Sequence, residues 1–174
     1  MAGVDPGPAP LTRALAARKD AIVAGWLART LESYPERTRR FLVQEPDAFR
    51  NPVGHAFREA LPALVDELLG AMDAARLEGL LDGIVRIRAV QDFTAGQAVG
   101  FVFLLKKVIR AELEGGIQQP PRGDGLAAVE GRIDELALLA FDLFMRCRER
   151  VYEIKANAAG RRTSLLDRMQ AGRP

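Results

Sequence analysis

The sequence predicts an all-α protein, a bundle of five or six helices whose last helix is much longer than the others. Three observations carry that expectation. Ala, Leu, Arg and Glu dominate the 174 residues, and these side chains lose little rotamer freedom in a helix. No run of alternating β-branched residues is present to build a sheet. Between residues 124 and 157, apolar side chains recur at Leu126, Val129, Ile133, Leu136, Ala140, Leu143, Cys147 and Ile154, a spacing of three and four that lapses only at Arg150. Without a proline to interrupt it, that helix would be roughly 50 Å long, more than one small domain needs to cover itself. Its seam is therefore the candidate surface for a second copy of the chain or another partner.

Taken in order, residues 1–10 hold Pro6, Gly7, Pro8 and Pro10 and are expected to be a flexible leader. One helix should follow over 11–34, with Leu15, Ile22, Val23, Trp26, Leu27 and Thr30 on a stripe and Pro35 at its end. Residues 36–44 make a short helix before a turn at Glu45-Pro46-Asp47. Asn51-Pro52 is a start signal, an N-cap followed by proline at the first helical position. The helix it opens carries Val53, Ala56, Phe57, Ala60, Leu64, Leu68 and Met72 on one face, and Pro62 should kink it by removing the bond to the Arg58 carbonyl.

Asp73 caps the next helix, whose stripe is Leu77, Leu80, Leu81, Ile84 and Ile87. Thr94-Ala95-Gly96-Gln97 has the form of a capping box. The helix behind it is apolar nearly all round between Val99 and Leu105, which suits the centre of a bundle, and Gly115-Gly116 stops it. The domain is expected to span 11–157, with a basic tail over 158–174 in which Leu165, Leu166 and Met169 could add a last amphipathic turn.

Charge and composition exclude more than they assign. The net charge is +2, but residues 155–174 alone carry +4, which leaves a mildly acidic body. A nucleic-acid binder would need a concentrated basic face. The lone Cys147 forbids an internal disulfide and suits a reducing compartment. The first residues lack a signal peptide's basic start and apolar run, and the longest uncharged apolar segment, 98–105, is too short to span a bilayer. The expectation is a cytoplasmic protein with no membrane insertion.

Candidate polar residues are few. His55 is the only histidine, so sites built on several histidines are excluded; as a haem ligand or base it competes with a plain surface role in the first turn of a helix. Asp142, set among Leu139, Phe141, Leu143 and Phe144, is either a solvated flank or a buried carboxylate paired with Arg86, Arg88, Lys106 or Lys107. The segment Arg86-Ile87-Arg88, with Asp92 beyond it, either forms an anion pocket against the Thr94 helix start or merely places cations at a helix C-terminus. Cys147, on the apolar seam, reads as a buried, inert thiol before a redox sensor. Phosphate-binding glycine loops and Glu-x-x-His metal pairs are absent. Neither a catalytic residue nor a cofactor is expected.

Five stretches, residues 26–34, 49–61 with its Arg-Asn-Pro-Val-Gly-His core, 84–93, 97–107 and 132–154, resemble the N-terminal domain of the RsbR-type RsbT co-antagonist proteins of bacterial stressosomes, in particular the RsbRD class. The resemblance implies a globin-like helical bundle without haem, dimeric, serving as a variable sensory head. In that family a C-terminal helix leads toward a STAS-type output domain. This sequence reaches Pro174 without one, so the expectation is a free-standing module or one acting on a partner in trans. The leading functional expectation is a non-enzymatic, homodimeric regulatory domain that signals through its long helix or a protein partner. Its rivals are a constitutive adaptor in a larger complex with no ligand sensing, and a cofactor-binding bundle built on His55.

Overall fold

The computed structural model of the protein describes residues 10–91, 93–116 and 125–171, with side chains through residue 158. Among these residues every regular element is helical: α1 (Pro10–Ala16), α2 (Lys19–Leu31), α3 (Glu36–Gln44), α4 (Pro52–Leu69), α5 (Ala74–Val90), α6 (Ala95–Gly116) and α7 (Gly125–Ala171). The seventh helix arises because the stretch expected to be one helix over 11–34 is interrupted at Ala17–Arg18. There the Arg18 amide bonds Leu15 O at 3.0 Å, three residues back instead of four. No side chain caps α2, so the sequence carries no local signal for the break. The basic residues at the interruption are held from elsewhere, Arg18 by Glu112 of α6 at 2.6 Å and Lys19 by Asp66 of α4 at 2.6 Å.

The corner between α3 and α4 is built on Asn51, which is fully buried. Its Oδ1 accepts the Gly54 amide at 2.8 Å, closing the N-cap of α4. Its Nδ2 donates to the carbonyls of Leu42 (2.9 Å) and Glu45 (2.8 Å), the end of α3. Arg58 reaches the same two carbonyls. One amide side chain thus satisfies the orphan groups of two helices at once. From there α4 runs through Pro62 as one helix.

At the other end of α4, the chain turns through Met72 in the left-handed region (φ 55°). Glu67, nearly buried, accepts the Asp73 amide at 3.1 Å and pairs with Arg76 at 3.2 Å. Arg132 of α7 donates to Leu68 O (2.8 Å) and Gly70 O (3.0 Å), so the last carbonyls of α4 are also met. Asp73 accepts the Arg76 amide at 2.8 Å, and the Thr94–Gln97 capping box forms with both reciprocal bonds, at 3.0 and 3.3 Å.

The core lies where α2, α4, α5, α6 and α7 meet. α6 sits between α2 and α7, while α7 also covers α5. This arrangement, with its long C-terminal helix, is compatible with a globin-like bundle. Along α7 the 3-4 seam is taken up inside the chain: Val129, Ile133, Leu136, Ala140 and Leu143 are buried, and Leu126 and Cys147 are packed against them. Of the residues expected to line a partner surface, Ile154 alone is well exposed, at 60%. The physical reason is that α5 and α6 supply the apolar faces that such a seam seeks. A different apolar stripe of α7 stays outside, made of Leu138, Phe141, Met145 and Tyr152.

At 47 residues, α7 is roughly 70 Å long. It runs past the domain limit expected at 157 and through most of the stretch read as a tail. From Tyr152 to Ala158 every described side chain is exposed, so the helix has left the body by that point.

Candidate functional site

A charged side chain lies at the centre of the bundle. Arg88, near the C-terminus of α5, is 1% exposed. It occupies the next core position after Leu77, Leu81 and Ile84 on the 3-4 stripe, where the sequence pattern alone had suggested Ile87. Four rings surround its guanidinium carbon: Phe101 of α6 at 5.1 Å, Phe57 of α4 at 5.2 Å, Phe93 before α6 at 5.2 Å, and Tyr34 after α2 at 5.3 Å. The rings also hold one another. Trp26 stacks on Phe101 at 6.0 Å and donates its Nε1–H to Phe101 O at 2.7 Å; Tyr34 meets Phe93 edge-on at 5.6 Å, and Phe57 meets Phe101 at 5.9 Å.

Hydrogen bonds fix the guanidinium on one side only. Nη1 donates to Gln97 O at 2.9 Å, with a weaker contact to Ala98 O at 3.5 Å, and Nη2 reaches Ser33 Oγ at 3.3 Å. Among the described residues Nε has no hydrogen-bond partner; neither do the buried hydroxyls of Tyr34 and Thr30. Among the described residues no carboxylate pairs with Arg88.

Taking such a charge out of water costs several kcal/mol. Desolvated cation–π contacts of about 2 kcal/mol and charge-assisted bonds of about 1.5–3 kcal/mol each offset that cost. Burial pushes the Arg88 pKa down from the usual arginine range, with the neighbouring Tyr34 acting the other way. Burial likewise raises the Tyr34 phenol, and the charge of Arg88 opposes that shift. Charge and a side-chain contact thus couple Tyr34 to Arg88, although the contact falls short of hydrogen-bond geometry.

The other sequence-predicted site residues do not gather here. Arg86 is exposed, pairs with Asp82 at 2.7 Å, and lies away from Arg88. The anion pocket expected from these two arginines and the Thr94 helix start does not form, because Arg88 meets carbonyls of α6 instead of sharing a cleft with its amides. Lys106 pairs with Asp134 at 2.7 Å over the Phe103 ring. His55 is partly exposed and faces Glu59 one turn on, at 3.2 Å. Asp142 is exposed beside Arg146 and Glu149, so the solvated-flank alternative describes it and the buried-switch alternative does not. Asp92 lies outside the described residues.

The sequence places Thr30 and Phe57 on helix stripes, but it joins neither them nor Tyr34, Phe93 and Phe101 to a site. The available signal was Arg88 itself, a cation at a core position of an apolar stripe, which requires partners from other helices.

A groove of about 490 Å³ runs between α5 and α7, floored by Val90, Leu143 and Cys147 and rimmed by Arg86, Arg146 and Glu78. Arg146 and Glu78 pair across it. Burial raises the Cys147 thiol pKa, which lowers its thiolate fraction and its reactivity. We expect Cys147 to react with a disulfide reagent at neutral pH more slowly than a free cysteine, measured by the absorbance of the released thiol; equal rates would contradict this. Among the described residues no group of three side chains could hold a metal ion, and no helix is long and apolar enough to cross a membrane.

Comparison with known proteins agrees with this architecture. The family described as RsbT co-antagonist protein rsbRD N-terminal domain matches residues 20–159, from the start of α2 to the exit of α7 from the body. No curated protein and no solved structure gave a match. The match covers the Asn51 corner, the Arg88 centre and the anchored part of α7 alike, and on that extent the chain belongs to the RsbT co-antagonist rsbRD N-terminal domain family.

Proposed function

We propose that the protein is a non-catalytic regulatory head of a stressosome-type assembly, homodimeric, in which α7 carries the state of the head to a protein partner. The observation that supports this most is the double character of α7. Its first half is locked into the core through Val129, Ile133, Leu136, Ala140 and Leu143, whereas every described side chain from Tyr152 to Ala158 is in solvent. A helix clamped at one end and free at the other transmits a displacement along its axis with little loss. Any shift of α5 or α6 must move it, because both pack on it.

The exposed apolar residues suggest where two copies meet. Phe103 on α6 and Leu138, Phe141 and Met145 on α7 are 41–67% exposed. Phe103, Leu138 and Phe141 share a shallow groove with Gly96, Gly100 and Ala137. Small residues there let a partner helix approach closely, and an uncovered apolar face of this kind marks an interaction surface. The double variant Leu138→Lys, Phe141→Lys is expected to weaken dimerisation by about 100-fold or more, through charge placed in a desolvated centre. Sedimentation velocity reads this directly: monomer in the variant at concentrations where the parent is dimeric. A variant that stays dimeric would remove this face from the proposal. The constitutive-adaptor alternative separates by a second measurement, since an adaptor's partner affinity would not respond to substitutions in the core around Arg88.

A further inference from the structure

The Arg88 centre has donors to spare. One edge of the guanidinium, the one carrying Nη1, is taken up by the Gln97 and Ala98 carbonyls. The other edge, formed by Nε and Nη2, has only the long 3.3 Å contact to Ser33 Oγ. Tyr34, whose ring centroid is 5.3 Å from the guanidinium carbon, interacts with its charge through a hydroxyl that has no partner of hydrogen-bond geometry. The buried Thr30 hydroxyl one turn earlier in the sequence has none either. Aromatic faces soften the charge of Arg88 but accept none of these in-plane hydrogens. A buried cation, a two-donor edge short of acceptors and the neighbouring orphan hydroxyl of Tyr34 together describe a receptor for a planar anion, which an arginine edge binds through two parallel hydrogen bonds.

We propose that this centre binds a small planar oxyanion, a carboxylate of one or two carbons or an inorganic anion of the same shape such as nitrate, on the Nε/Nη2 edge of Arg88 with Tyr34 as a further donor. The ring enclosure sets the size limit: Phe57 and Phe101 are buried, and Phe93 is half-buried. The anion neutralises a charge that the fold otherwise carries among rings alone, so it stabilises the bundle where α2, α4, α5 and α6 join. This inference does not depend on the regulatory reading, because binding is measured on the isolated protein whether or not the head signals.

Sodium formate is the probe, with sodium gluconate, too bulky for the enclosure, holding the sodium concentration constant. The melting temperature is expected to rise saturably with formate. The Arg88 Nε–H resonance in a ¹H–¹⁵N spectrum is expected to shift along the same curve. Tyr34→Phe should leave the melting temperature in gluconate unchanged or higher, since its hydroxyl has no partner there, and should raise the apparent formate Kd by about tenfold. Thr30→Val tests the second hydroxyl in the same way, and neither variant depends on surviving the loss of Arg88. A formate response that is absent, or that is undiminished in Tyr34→Phe with no movement of the Arg88 Nε–H signal, overturns the proposal and leaves the centre as a purely structural cation.

Discussion

Replacing Arg88 by alanine is expected to cost about 3–5 kcal/mol, the largest loss of any single substitution in the bundle. Three effects add. The four rings lose their shared contact and face a cavity, which in a packed core is only partly closed by relaxation. The charge-assisted hydrogen bond to the Gln97 carbonyl at 2.9 Å is lost, worth about 1.5–3 kcal/mol. The cation–π attraction disappears as well. Arg88→Met should cost far less, about 1–2 kcal/mol, because a methionine fills much of the space and removes the desolvation penalty of the charge along with its attractions. Urea unfolding of the two variants measures the difference. Equal losses for alanine and methionine would mean that the charge and its hydrogen bonds, and not the packing, hold the centre.

The second large effect falls at the α3–α4 corner. A Cβ on Gly54 would lie 2.5 and 2.7 Å from the side-chain amide of Asn51 and 2.7 Å from the Leu42 carbonyl. These atoms are fixed, since Asn51 is itself tied to Leu42, Glu45 and the Gly54 amide. Gly54→Ala must therefore displace a buried amide or push α3 from α4, at about 3 kcal/mol. Gly83 provides the contrast: it is exposed on α5 and nothing lies within 4 Å of its would-be Cβ. Gly83→Ala should stabilise by about 0.4–1 kcal/mol through the entropy of the unfolded chain. Thermal unfolding of the pair should move in opposite directions.

How far the fold was legible follows from where its signals reside. Caps and stops are written locally, so Asn51-Pro52, Asp73 and Thr94–Gln97 marked their helices correctly from sequence alone. The break at Ala17–Arg18 was not legible because no side chain there caps anything; ion pairs to Glu112 and Asp66, both remote in sequence, accompany it. The seam of α7 was read as a candidate partner surface, but periodicity says only that a face is covered, never by whom. The covering partners are α5 and α6 of the same chain. Arg88 was visible as a candidate, but its rings come from four separate stretches of sequence. A lone arginine on a helix end has the same local pattern whether it faces water or four aromatic side chains.

The central claim is a dimeric head from which α7 emerges as a free arm, and its most direct test is mass in solution. Light scattering on the full chain and on a chain ending at Asn157 should give twice the monomer mass of each. For the full chain that means a dimer of a 19.0 kDa protomer. The dimer should persist without the arm because Phe103, Leu138 and Phe141 belong to the body. A monomer in both would contradict the account, leaving the apolar face of α6 and α7 for a different protein.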